Sequence, residues 1–118
     1  MRKIVIPSVL WLFLFCYNAV AANYCVSPSG SGNGSGTDWN NTANFGSMTF
    51  TRGNTYYLAD GSYGSRTLTT AVSSSTYIYI KKATLSDHGT ETGWSSTYGD
   101  EQAILSHIDV NTGYLDIE

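Results

Sequence analysis

The chain has 118 residues, 13% of them charged, and a formal net charge of −3. That length allows one domain at most, and the charged fraction excludes a charged coiled coil, because ordinary proteins carry about 25%. Lys and Arg total 6 without clustering, which excludes a basic nucleic-acid surface, and 2 Cys make no small-protein disulfide framework.

In chain order, the first segment reads as an address. Arg2 and Lys3 start it, Ile4 to Tyr17 is almost wholly apolar, and Ala19, Ala21 and Ala22 follow. A cationic start, an apolar centre and a small-x-small exit make a secretory signal peptide, here residues 1–22, cut after Ala21 or Ala22. The apolar run is shorter than the about 20 residues a membrane span needs, and no cationic stop follows it. Bulky Phe15 before Cys16 argues against a lipoprotein signal. The predicted location is therefore secreted or cell-surface, extracellular or periplasmic, with no membrane association after cleavage. Of the cysteines only Cys25 would survive, as a small buried residue in the first strand rather than a partner thiol.

Residues 23–54 read as an N-terminal leader. Tyr24 to Pro28 is extended, and Ser29 to Gly36 has Gly at every second position, the pattern of a flexible loop. No Lys-Ser or Lys-Thr follows those glycines, so a phosphate-binding loop is not supported. Thr37 or Asp38 is placed to cap a short helix whose Trp39 and Ala43 share a face and which would cover a sheet end.

From Thr55 the apolar period is two. Tyr56 and Leu58 alternate with Tyr57 and Ala59; Thr67-Leu68-Thr69 is a shorter peak. Ile78 and Ile80 fall on one face and Tyr77 and Tyr79 on the other. Later peaks are Ala103-Ile104-Leu105, then Ile108 and Val110, then Leu115 and Ile117. Asp60-Gly61-Ser62, Gly64-Ser65, Ser73-Ser74-Ser75 and Asn111-Thr112-Gly113 read as the turns between them. Two all-β arrangements compete. An antiparallel sandwich wants tight Asn-Gly or Asp-Gly hairpins, which are missing apart from a bend at Asp60-Gly61. A parallel solenoid would take Leu58, Leu68 and Ile80 as three faces of one coil, and Leu105, Val110 and Ile117 as the next three, with Lys81 to Gln102 looping out. No internal repetition is visible.

Several stretches resemble one family. Tyr24-Cys25-Val26-Ser27-Pro28-Ser29-Gly30 resembles the Tyr-Tyr-Val-Ser-Pro-Ser-Gly opening of secreted right-handed parallel β-helix proteins of the pectate-lyase-like superfamily. Arg52 to Tyr63 resembles their first-coil pattern, Thr76 to Ala83 the strand that follows, and Tyr114 to Glu118 the element after it. The resemblance implies an all-β, right-handed parallel β-helix (pectin lyase fold) of which this chain holds the N-terminal cap and first coils only. Residues 55–118 would be about two or three coils, fewer than solenoids normally use, so the chain is expected to be the incomplete start of a longer protein. Expressed alone, it is expected to aggregate or be partly unfolded.

The resemblance further implies a parent that acts on or binds polysaccharide, in particular an acidic one, as a lyase or glycoside hydrolase. The alternative is a non-catalytic cell-surface or adhesive β-helix. The resemblance places the catalytic residues of such enzymes, as a rule, on middle coils that this chain does not reach, so none is assigned here and the segment itself is expected to be inactive. Calcium is possible in the whole parent, but the acids here form no spaced ligand set, and no cofactor or metal is expected in this segment. The densest polar stretch runs from Asp87-His88-Gly89-Thr90-Glu91 to Trp94, Tyr98 and Glu101. His88 and Glu91 are candidates for an acid–base or metal pair, and Trp94 and Tyr98 for carbohydrate contact; the competing reading is a loop pinned by Trp94 and Tyr98. His107 reads as a surface or half-buried residue. Tyr56, Tyr57, Tyr63, Tyr77 and Tyr79 are expected to pack, with an external glycan groove as the alternative. Asn33-Gly34-Ser35 and Asn40-Asn41-Thr42 are glycosylation acceptors if the source glycosylates exported chains.

Overall fold

The computed structural model describes residues 20–118. The signal-peptide assignment to 1–22 lies outside the described residues except for its last three positions. The described chain is all-β. Strands run β1 Asn23–Ser27, β2 Ala43–Asn44, β3 Thr55–Leu58, β4 Gly61–Leu68, β5 Ile78–Lys82, β6 Ala103–Val110 and β7 Leu115–Ile117, with one 3-10 turn at Ser96–Tyr98. One sheet has the order β2-β1-β3-β5-β7 and the other pairs β4 with β6. Every pair is parallel, which removes the antiparallel sandwich from the two arrangements considered.

Register follows from burial. Tyr24 lies beside Tyr56, Tyr56 beside Ile80, and Ile80 beside Ile117, so one row of apolar side chains crosses the larger sheet on its inner face. The rings of Tyr24 and Tyr56 stack at 5.2 Å between centroids. Val26, Tyr56, Leu58, Ile78 and Ile80 then meet Tyr63 and Leu68 of β4, and Phe45 and Phe50 fill the space beside them. Burying a side chain such as Ile78 or Ile80 contributes about 1.5–3 kcal/mol, which is why a one-residue slip of β5 would be costly. Tyr63 satisfies its phenol inside this core by donating to Ala59 O at 2.8 Å and Val26 O at 3.2 Å. Cys25 is buried and free, as the small strand residue expected.

Several expectations are corrected. No helix forms at 37–45. Asp38 Oδ1 accepts from Asn40 N at 2.9 Å and Asn41 Nδ2 at 3.0 Å, closing a turn, and Ala43 pairs with Val26 as strand. Asx turns of this kind compete with a helix for the same backbone groups. The Gly/Ser run is a hydrogen-bonded loop: Ser31 N donates to Thr42 O at 2.9 Å and Gly36 N to Asn41 O at 2.6 Å. Gly61, Ser62, Gly64 and Ser65 are strand rather than turn, because β6 supplies the ladder that their weak propensity does not. The peaks at 103–105 and 108–110 are one strand. Leu58 and Ile80 sit on neighbouring strands of the same sheet, with Leu58 beside Lys82, so they are not separate faces of one coil.

Candidate functional site

Two surfaces carry aromatic and polar side chains together. The first is the excursion between β5 and β6. It folds back over the outer face of the sheet, where Cys25, Tyr57 and Ala59 lie with Trp39 and Ala83 in a second buried cluster. Gly89 has φ 77°, and a Cβ there would stand 2.8 Å from the Tyr57 ring, so the backbone lies directly on that ring. Only glycine tolerates both conditions.

Within this excursion His88 is buried. Its Nδ1 is 3.0 Å from Thr84 O and its Nε2 is 2.9 Å from Glu91 Oε1. Its ring lies flat on Trp94, 3.9 Å between centroids and 7° between planes. Trp39 Nε1 donates to His88 O at 3.0 Å, and Trp39 N donates to Thr92 O at 3.0 Å. Tyr98 stacks on Trp39 at 5.5 Å, and Trp94 meets Trp39 edge-on at 5.0 Å. The sequence candidates His88, Glu91, Trp94 and Tyr98 are thus brought together. One face of Trp94 is covered by His88 and one face of Tyr98 by Trp39, so both rings are engaged in fastening the loop to the 37–42 turn. Among the described residues no group of three His, Cys, Asp or Glu side chains is placed to hold a metal ion. His107 is exposed and pairs with Asp109 at 2.9 Å.

Below the same loop, Lys82 pairs with Asp60, and Asp60 Oδ2 accepts from Glu101 N at 2.6 Å. Burial pushes the Asp60 carboxyl up. The hydrogen bonds from Lys82 and from the Glu101 N–H outweigh it and hold the group below the usual carboxylate range. Asp87 is likewise held low, chiefly by its hydrogen bond from Lys81, against the opposing effect of burial.

The second surface is the outer face of β5 and β7. The five tyrosines considered together in the sequence divide here: Tyr56, Tyr57 and Tyr63 are buried, whereas Tyr77 is 41% and Tyr79 37% exposed. Tyr77 and Tyr79 lie near-parallel, 6.0 Å between centroids, and Tyr114 meets Tyr77 edge-on at 5.6 Å. Sequence reasoning did not group Tyr114 with them. Its φ of 53° turns the chain just before β7, a position signalled only by the preceding Asn-Thr-Gly. Asp116 lies beside Tyr79 in the ladder. Lys81, the nearby cation on this face, is held between Asp87 at 3.0 Å and Glu118 at 3.3 Å. The tyrosine surface therefore offers ring faces and hydroxyls with a net acidic surround.

No family model, curated protein or solved structure matches this chain.

Proposed function

We propose that residues 23–118 are the leader and first rungs of a right-handed parallel β-helix of the pectate-lyase-like kind, in an exported protein that binds polysaccharide. The fold reading is supported by the parallel pairing and by the path of the chain. From β3 to β7 successive strands alternate between the two sheets, and each return to a sheet lands beside the previous strand. Parallel neighbours need such crossovers, and a coil supplies them without helices. Half-exposed Ile117, extending the buried row of Ile80, offers an apolar edge for a further rung.

The observation that carries the binding reading is the exposed group Tyr77, Tyr79 and Tyr114. Aromatic rings present an apolar face to sugar C–H groups and a hydroxyl to their oxygens. Trp94 and Tyr98 support the loop beside this surface and are not its principal contacts. Lys81 is shared by two carboxylates and Asp116 adds a third, so uncharged polymers are favoured over uronates, whose carboxylates this surface would repel. The acidic polymer suggested by the family resemblance is the less favoured arm of the test.

Electrophoresis through gels containing xylan, mixed-linkage β-glucan, polygalacturonate or alginate tests the reading. Retardation by xylan or β-glucan is expected, with Tyr79→Ala weakening it about five- to tenfold, the loss of one aromatic contact of about 1 kcal/mol or slightly more. Free migration in all four gels would sink the proposal. Absence of unsaturated product absorbance during incubation with polygalacturonate and alginate is also expected of these residues.

A further inference from the structure

We propose that the signal peptide is removed by hydrolysis of the Ala21–Ala22 peptide bond, so that the mature chain begins at Ala22 with its α-amino group held by Asn54. This rests on the export reading above. The sequence offers two scissile bonds. Cleavage after Ala21 places Ala19 and Ala21 at the two small-residue positions; cleavage after Ala22 places Val20 and Ala22 there.

The fold distinguishes them. Ala22 N donates to Asn54 Oδ1 at 3.0 Å, and Ala22 O accepts from Thr55 N at 3.0 Å, extending the β1–β3 ladder one residue before β1. Asn54 is buried, at 9% exposure. Its own carbonyl accepts from Tyr79 N at 3.1 Å, so it links three successive strands of the sheet. Cleavage after Ala22 would remove both of its ladder contacts, leaving a buried amide oxygen and the Thr55 N–H without these partners. Among the described residues, Val20 and Ala21 make no hydrogen bond, and Val20 is 86% exposed. Among the described residues, hydrogen bonding to the sheet begins at Ala22.

In the hydrolysis water adds its oxygen to the Ala21 carbonyl carbon and the C–N bond breaks. Ala21 leaves as a carboxylate, and Ala22 nitrogen takes up both protons of the water to become an ammonium. The ammonium so formed still donates to Asn54 Oδ1, now as a charge-assisted and stronger hydrogen bond.

The test is intact mass and N-terminal sequencing of the full chain, expressed with its own signal peptide and captured under denaturing conditions through a C-terminal tag. A chain starting Ala-Asn-Tyr-Cys is expected. A start at Asn23 or later overturns this inference and leaves export standing; retention of Met1 overturns both. A second measurement follows acetylation of the α-amine in the native processed protein. Asn54→Ala is expected to accelerate it several-fold, whereas Asn54→Asp, which keeps an acceptor oxygen, is not. Equal rates in all three proteins would show that Asn54 does not hold the amine.

Discussion

Arg52 Nη1 donates to the carbonyl of Gly113 at 2.9 Å, tying the turn before β3 to the turn before β7 across 61 residues. The same guanidinium reaches Ala71 O at 2.8 Å, Thr76 O at 3.2 Å and Thr112 Oγ1 at 2.6 Å. One planar fork thereby satisfies acceptors from several consecutive turns, which an ammonium cannot do. Arg52→Ala is expected to lower stability by about 2–4 kcal/mol, and Arg52→Lys to recover less than half of that. Urea unfolding followed by tryptophan fluorescence measures both.

The aromatic fastening of the long loop predicts coupling between Trp39 and Trp94. A double-mutant cycle with Trp39→Phe and Trp94→Phe should return about 0.5–1.5 kcal/mol. Additive effects would mean that the rings merely neighbour one another. Trp94→Phe should leave polysaccharide retardation within about twofold, because the binding surface is assigned elsewhere.

Gly93 has φ 72°, and a Cβ on it would stand 2.7 Å from Asn40 N. Gly93→Ala is therefore strained twice, by backbone conformation and by collision with main chain, and should cost about 1–3 kcal/mol. Increased protease cutting between Thr84 and Gln102 is the direct readout, since this loop loses its seat on the 37–42 turn.

Burial, with a smaller contribution from Asp38, pushes the Cys25 thiol up from 9.0 to about 12. A pKa raised on folding gives stability that is complete below the unfolded value and lost as pH rises towards the folded one. The alkaline limb should therefore begin near pH 9 and deepen towards 12, with Tyr63, raised first by burial and then by Asp60, adding to it. Asp60 and Asp87 are depressed, so their contribution is present above the ordinary carboxylate range and fades only below about pH 4. Iodoacetamide at pH 8 should leave native Cys25 intact and alkylate it readily in urea.

Among the described residues β6 pairs only with β4 and β7 only with β5, and inner-face Ile117 at the free edge of β7 is 45% exposed. Such an edge recruits further strands. Self-association is expected in sedimentation velocity, and Ile117→Lys should shift the distribution several-fold towards monomer. An unchanged distribution would place the association elsewhere.

Strands β3, β5 and β7 were legible because their apolar residues recur at every second position, and β1 as a short extended piece; their register forms one apolar row from Tyr24 through Tyr56 and Ile80 to half-exposed Ile117. β4 was not, because Gly-Ser-Tyr-Gly-Ser carries turn residues whose strand character comes only from the ladder with β6. The turn at 37–42 read as a helix because Trp39 and Ala43 are both buried at helical spacing, although they are buried in a turn and a strand. The meeting of His88 with Glu91 was visible as a possibility; the flat contact with Trp94 was not, since it depends on how the loop closes. Periodicity does separate Tyr77 and Tyr79 from Ile78 and Ile80. Their joining with Tyr114 required the β5–β7 register, which no local pattern encodes.

Parallel pairing also sets a schedule. Tyr24 emerges from the ribosome well before Tyr56, the residue it pairs with 32 positions later, so the first strand waits unpaired until the second arrives. Each closure of that length comes before the ladder rewards it, which makes acquisition of this fold slow compared with that of a helical chain of equal size. The interval is a window of vulnerability, and anything that holds the early segment extended until its neighbour appears will raise the yield of native molecules.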